Sequence, residues 1–218
     1  MLKNKDIHSY TVEPIKKNLG GPELFEIDYR KKNVVDLACG NGAIGRHALY
    51  SGAKYVQFTD ARKQNFVEPN NYHNWGWEFV DLNKIEMLTN ILQKQDIVMY
   101  SGHFYHATNH LEILDAIAIS SCQELFFETK VFHTELDYHE NSPAVRWVSE
   151  NTNDSELIWH STAASLLVGQ PNFKWTFDAL YERFLIKDIK VVEDSWYNPS
   201  FNVTVNFKKL MFHCQSQN

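Results

Sequence analysis

Seven consecutive residues, Asp36-Leu37-Ala38-Cys39-Gly40-Asn41-Gly42, carry the most specific chemical signal in the chain. Glycines at alternate positions let a backbone approach a ligand closely and present its amides at a helix N-terminus. Two acids stand at matching places further on. Asp60, 18 residues after Gly42, closes the β-rich run 55–59 and can accept both hydroxyl protons of a ribose. Asp81 closes Trp77-Glu78-Phe79-Val80, where a carboxylate can accept a hydrogen bond from an exocyclic adenine amine. Each feature alone has a bland reading, since glycines make tight turns and strand-terminal Asp residues cap helices. All three on successive strands point to a bound nucleoside. The candidate cofactor set is Asp36, Ala38, Gly40, Asn41, Gly42, Asp60, Ala61, Asp81, Leu82 and Tyr100.

A second set could move a proton. Histidine changes charge near neutrality and suits a general base. His103 and His106 follow the run 96–100, with Tyr105 between them, and His133 follows the run 124–128. Tyr105, His106 and His133 are the expected catalytic residues. The competing reading is that Tyr105 and His106 pack a loop and bond to backbone carbonyls. His103, His106 and His110 are spaced as a helical face would space them. The segment before Asn109 reads as loop, however, and no nearby carboxylates complete an octahedral set, so no metal site is expected.

The elements that must position these residues alternate. Residues 33–38 form a short apolar run that stops at the glycine loop, the pattern of a buried parallel strand. A helix follows over 43–50, stopped by Gly52. Further strands are expected at 55–59, 77–80, 96–100 and 124–128, and helices over 61–68, over 84–93 and from the Asn109/Glu112 capping box. Thr176 is expected to cap a helix running to about Leu185, and strands at 189–193 and 202–207 to close the chain as a hairpin. This pattern specifies an α/β, doubly wound, mostly parallel seven-stranded sheet with an antiparallel edge strand. Residues 1–218 read as a single domain, with 1–32 as a polar lead-in. Residues 133–175, which include Trp147, Trp159 and Trp175, form an insert long enough to suggest a functional element, and a substrate lid is the expected role.

The run from Val34 to Gly42 resembles the first motif of class I S-adenosylmethionine-dependent methyltransferases, with Ala38 in place of the first common glycine. Nicotinamide-binding loops read GxGxxG and lack an acid at the place of Asp36. The resemblance covers roughly residues 33–130. It implies a Rossmann-like methyltransferase fold, with S-adenosyl-L-methionine as cofactor and Asp36 near its methionine amino end. It also implies that Gly40 and Gly42 face the cofactor, that Asp60 holds the ribose, and that Asp81 with Leu82 frames the adenine. Gly102, Tyr105 and His106 look like an element of the branch that includes the tRNA wobble-uridine carboxymethyltransferases. No arginine follows Arg183 to match that branch's carboxylate-binding arginine, so the likeness extends to architecture and not to substrate.

Bulk properties narrow the partners. The 218 residues suffice for one α/β core, and 44% hydrophobic with 22% charged content is ordinary for a globular protein. A net charge of −6 disfavours a nucleic-acid partner. The three cysteines show no zinc spacing or even-numbered framework. The opening residues lead into no apolar run, and no stretch is long enough to span a bilayer, so a cytoplasmic protein without membrane contact is expected. The expected activity is methyl transfer to a small-molecule or sugar-like acceptor. The competing readings are a tRNA- or RNA-modifying methyltransferase, using the cations at Lys3, Lys5, Lys16, Lys17, Arg30, Lys31 and Lys32, and a cofactor-binding module without turnover. Nothing in the sequence specifies the oligomeric state.

Overall fold

A computed structural model of the chain describes residues 14–15, 21–131, 142–149, 167–198 and 203–217. In chain order the elements are β1 (Pro14–Ile15), β2 (Asn33–Leu37), α1 (Ala43–Tyr50), β3 (Tyr55–Asp60), β4 (Trp75–Phe79), α2 (Ile85–Leu92), β5 (Ile97–Ser101), α3 (His110–Ala118), β6 (Glu124–Val131), β7 (Val145–Ser149), β8 (Leu167–Pro171), α4 (Phe173–Tyr181), β9 (Phe184–Asn198) and β10 (Val203–Ser216).

One sheet holds eight of these strands in the order β1-β9-β10-β6-β5-β2-β3-β4. It is mostly parallel. Seven substantial strands build it, and the two-residue β1 adds a parallel rim on β9. The antiparallel strand of the closing hairpin is β10, which pairs with both β6 and β9 and so lies inside that end of the sheet. From β2 the chain steps outward through β3 and β4, then crosses to β5 on the other side of β2. The order therefore reverses between β2 and β5, and a crevice opens beyond the carboxyl ends of those strands.

Alternation along the central strands explains why they read as continuous apolar runs. Val35 and Leu37 of β2, Val98 and Tyr100 of β5, and Leu125 and Phe127 of β6 face the layer formed with α2, α3 and α4. Val34, Ile97, Met99 and Phe126 face the opposite layer, with Ala48 and Leu49 of α1 and with Phe25 and Tyr29. All ten strand residues are fully buried. Burial of each large apolar side chain stabilises the fold by roughly 1.5–3 kcal/mol. The register also turns Asp36 toward α1, beneath the loop and away from its mouth.

Four expectations about elements are corrected. Residues 61–68 form only the 3₁₀ turn Lys63–Asn65. Phe66 leaves that turn extended, packs on Phe58 and Trp75, and is followed by Pro69, so the tertiary contacts of an aromatic side chain override helical propensity. Asn109 precedes α3, but its side chain makes no cap bond; its amide donates instead to the Leu82 carbonyl at 3.0 Å. The cap of α4 is Asn172, which accepts from Trp175 N at 2.9 Å, and the helix ends at Tyr181. Thr176 lies inside it and bonds back to Asn172 O. Finally, β9 and β10 are far longer than 189–193 and 202–207. Val203–Phe207 pair with β9 alone, beyond the reach of β6.

Within the insert, β7 and β8 form an antiparallel ladder of their own. Asn172 ties its ends, giving its amide to Ser142 O at 2.8 Å and accepting from Ala144 N at 3.2 Å. Trp159 and His133 lie outside the described residues. Among the described residues no helix is long and apolar enough to cross a membrane.

Candidate nucleoside site at the carboxyl edge of the sheet

The loop after β2 is built on left-handed backbone. Ala38, Gly40 and Gly42 have φ of 53°, 54° and 79°. For Ala38 that conformation is strained, since a Cβ disfavours it by about 1–2 kcal/mol. It stands where the methyltransferase motif commonly has glycine, and it keeps the glycine geometry. At Gly40 a Cβ would meet nothing within 4 Å, so the space over that residue is open. The loop is tied to β3 by Cys39 N donating to Thr59 O and by Gly40 N donating to Asp60 Oδ2, both at 2.8 Å.

Asp60 is only 5% exposed, and its other oxygen accepts from Arg62 N at 2.8 Å. A carboxylate has about four lone-pair sites, so two backbone bonds leave capacity for a ligand hydroxyl. Asp81 Oδ1 accepts from Asn83 N at 3.1 Å and from its side-chain amide at 3.2 Å. Its Oδ2 stands 3.9 Å from Lys84 Nζ.

These strand ends enclose a cavity of about 210 Å³ lined by Ala38, Asp60, Ala61, Arg62, Val80, Asp81, Leu82, Gly102, His103, Tyr105 and His106. Of the expected cofactor residues, Ala38, Asp60, Ala61, Asp81 and Leu82 line it. Gly40 joins them through its bond to Asp60, and Asn41 and Gly42 continue the same loop into α1. The volume is below the ~300–1,000 Å³ usual for a whole drug-sized ligand and suits a nucleoside-sized portion of one.

Two members of the expected set lie beneath the cavity. Asp36 is 1% exposed and accepts from Gly45 N of α1 at 2.8 Å. Burial pushes its carboxyl up to about 7, with the nearby Asp60 charge adding to the rise. Tyr100 is fully buried, and its hydroxyl lies 2.8 Å from His103 Nδ1. Neither reaches the cavity wall. The reason is the period of the strands, which sends Asp36 under α1 and Tyr100 into the α3 layer.

The proton-transfer candidates divide. Tyr105 and His106 pack against each other in a tilted contact, with ring centroids 4.1 Å apart, on the 3₁₀ turn Phe104–His106. Lys130 Nζ stands 4.9 Å from the Tyr105 ring. His110, in contrast, is turned away into an aromatic box of Phe104, Trp147 and Trp175, with Nε2 2.9 Å from Gly169 O of β8. Burial lowers its pKa. Gly169 N donates to Ala107 O at 3.1 Å, so β8 is docked on the segment that carries the cavity residues. Among the described residues no three His, Cys, Asp or Glu side chains are grouped to hold a metal.

Arg62 and Val80 belong to the cavity and stand outside the expected set, while Gly102, which the sequence offers only through a family resemblance, lines it too. Arg62 directly follows Asp60-Ala61, and a cation beside the strand-terminal acid was the available signal. Gly102, with φ of 74° and open space over its α-carbon, repeats at the end of β5 what Gly40 does after β2.

No protein-family model matches the chain, and no curated protein matches it in sequence. Its fold does match solved structures. The N-terminal domain of EvdMO1 with SAH bound aligns at a TM-score of 0.62 and 14% identity, over 85% of this chain and 75% of that one. An S-adenosylmethionine-dependent methyltransferase from Mesorhizobium loti aligns at 0.55 and 14% identity, over 87% and 93%. The Burkholderia thailandensis 1,6-didemethyltoxoflavin-N1-methyltransferase, bound to 1,6-didemethyltoxoflavin and S-adenosylhomocysteine, aligns at 0.50 and 16% identity, over 87% and 72%. At these identities the likeness establishes the fold, a Rossmann-like sheet shared with S-adenosylmethionine-dependent methyltransferases.

Proposed function

We propose that this chain is an S-adenosylmethionine-dependent methyltransferase acting on a small-molecule acceptor. The observation that carries the reading is the convergence of Ala38, Asp60, Ala61, Asp81 and Leu82 on one cavity at the strand-order reversal. The fit to an adenosyl cofactor rests on two features of the cavity. Open space lies over Gly102 in the cavity and over Gly40 in the adjoining loop, and a largely buried carboxylate, Asp60, retains lone pairs for a ribose. The neighbour with SAH bound and the neighbour with a small heterocyclic acceptor support the same choice.

In this reading Asp60 accepts the ribose hydroxyls, and Leu82 with Val80 lies against the adenine. Asp81 takes its amine, and the loop Ala38–Gly42 borders the amino-acid portion. The sulfonium supplies a methyl group that is already activated, so the protein's part is to align the acceptor and exclude water. Tyr105 and His106 border the cavity on the acceptor side, and His106 holds or removes the acceptor's proton where one must leave. The described part of the insert, β7 and β8, is anchored by Gly169 beside that same segment and takes the role of a lid over the acceptor.

The test is transfer of label from methyl-labelled S-adenosylmethionine to a fractionated small-molecule extract and, separately, to total RNA. Label in the small-molecule fraction, dependent on intact Asp60, supports the reading. Label only in RNase-sensitive material would replace the acceptor class, and S-adenosylhomocysteine formation absent from every fraction would contradict the activity.

A further inference from the structure

The amino edge of the sheet, opposite the nucleoside site, carries a surface of different character. Lys31 and Lys32 lead into β2, Lys54 leads into β3, and Lys94 lies just before β5. Main-chain groups hold these residues side by side. Lys54 N donates to Lys32 O at 2.9 Å, and the Asn33 side-chain amide donates to Lys94 O at 3.3 Å. Neighbouring strands lie about 4.8 Å apart, so the backbones of Lys54 and Lys94 are roughly 10 Å from each other across β2.

Lys31, Lys54 and Lys94 are exposed, and no carboxylate stands within ion-pair distance of them. Lys32 reaches only a neutral oxygen, Gln123 Oε1, at 2.6 Å. The acids in the same segments are already engaged. Arg30 holds Asp28 through bonds of 2.8 and 2.9 Å, and Asn33 N donates to Asp96 Oδ2 at 2.8 Å. A surplus of positive charge therefore stays on this edge of a chain whose total is −6.

An aromatic side chain stands beside the lysines. Helix α1 returns the chain from the carboxyl edge to this one, and its last residue, Tyr50, is 60% exposed. Tyr72 supports it in a tilted contact, with ring centroids 5.2 Å apart. The Asn74 amide ties that segment to the lysine cluster, donating to Ala53 O at 2.9 Å and to Lys54 O at 3.2 Å. Cations that track phosphates and a ring on which a base can stack are the two components of single-strand recognition. An acidic peptide would use the lysines and leave Tyr50 without a role.

We propose that the amino edge docks a single-stranded nucleic acid, with Lys31, Lys32, Lys54 and Lys94 on its phosphates and Tyr50 against a base. The five-residue β2 separates this surface from the cofactor cavity by about 17 Å. It is a docking surface, distinct from the acceptor site, and it does not rest on the methyltransferase reading.

The test is fluorescence anisotropy of the full chain with a labelled oligouridylate of about 12 nucleotides. Wild type should bind it, and contacts to three or four phosphates should weaken affinity about 20- to 50-fold between about 50 and 200 mM salt. The triple variant Lys31→Gln, Lys54→Gln, Lys94→Gln should bind about tenfold more weakly or worse and lose most of that salt dependence. Tyr50→Ala should lose about five- to tenfold with the salt dependence kept, and Tyr50→Phe should recover the loss. Absent binding by wild type, or binding untouched in the triple variant, would overturn the proposal. So would full affinity in Tyr50→Ala, or tighter binding of polyglutamate or of phosphatidylserine vesicles than of the oligonucleotide. Calorimetry with S-adenosylhomocysteine should give the same affinity for wild type and the triple variant. Its failure in wild type would count against the cofactor reading alone.

Discussion

The two halves of the carboxyl edge are built by different means. On the side of β2, β3 and β4, the site is made by backbone: a loop of left-handed residues and acids placed at strand ends by register. On the side of β5 and β6, it is made by side chains held in tertiary contacts. These are Tyr105 on His106, Tyr100 on His103, and His110 on the Gly169 carbonyl of a distant ladder. The first half suits a constant ligand, because its geometry follows from the path of the chain. The second half suits a variable one, because changing a side chain or the insert alters the pocket without disturbing the sheet.

The largest effect should come from the backbone half. Gly40→Val puts a β-branched residue at a left-handed position and fills the open space above it. It should reduce adenosyl-cofactor affinity by more than 100-fold while circular dichroism stays native. Retained affinity would mean that the loop is only a turn.

Next comes the ribose acid. Asp60→Ala should weaken cofactor binding by about 1.5–3 kcal/mol, the range for a hydrogen bond to a charged group. Asp60→Asn keeps one oxygen for the loop bond and should lose less. Full affinity in Asp60→Asn would assign Asp60 to holding Gly40 and not to the ligand.

The other half should respond in acceptor kinetics. A Cβ at Gly169 would sit 2.4 Å from His110 Cε1, too close for the docked ladder to persist. Gly169→Ala should raise the acceptor KM by about tenfold and leave cofactor affinity within twofold. Matching losses in both would erase the distinction between the halves.

Asp36 makes a pH prediction. Its folded pKa, about 7, exceeds the unfolded 3.8, so the native state binds the extra proton between those values. The Asp36 contribution to stability is therefore fully present below about pH 4 and is lost as pH rises through about 7, by on the order of a few kcal/mol. Asp36→Asn should flatten that slope in urea melts taken from pH 4 to 8. A slope unchanged in the variant would assign it to other groups.

The smallest effect is at Ala38. Ala38→Gly relieves a left-handed alanine but makes the unfolded chain more flexible, so the net gain should be about 1 kcal/mol or less. Destabilisation by more than that would mean that the alanine methyl packs usefully.

The same contrast explains what could be read in advance. The strand-loop-helix unit at 33–50 and the acids at Asp60 and Asp81 were legible because strand periodicity and glycine have local consequences. Tyr100 ends the strand expected at 96–100 and belongs to the candidate set, but its parity along β5 sends it inward. Residues 61–68 carry a helical pattern, but Phe66 packs with Phe58 and Trp75 on one face of the sheet, a tertiary contact that helical periodicity does not register. The lengths of β9 and β10 were underread because each pairs mainly with the other, and polar residues such as Lys187, Asp188 and Lys190 interrupt their apolar pattern.

The central claim is that the backbone half binds an adenosyl sulfonium cofactor. Its most direct test is a calorimetric titration of the full chain with S-adenosylhomocysteine and, in parallel, with NAD. The account predicts one-site binding of S-adenosylhomocysteine that Gly40→Val abolishes, and no heat from NAD. Binding of NAD with none of S-adenosylhomocysteine would contradict it.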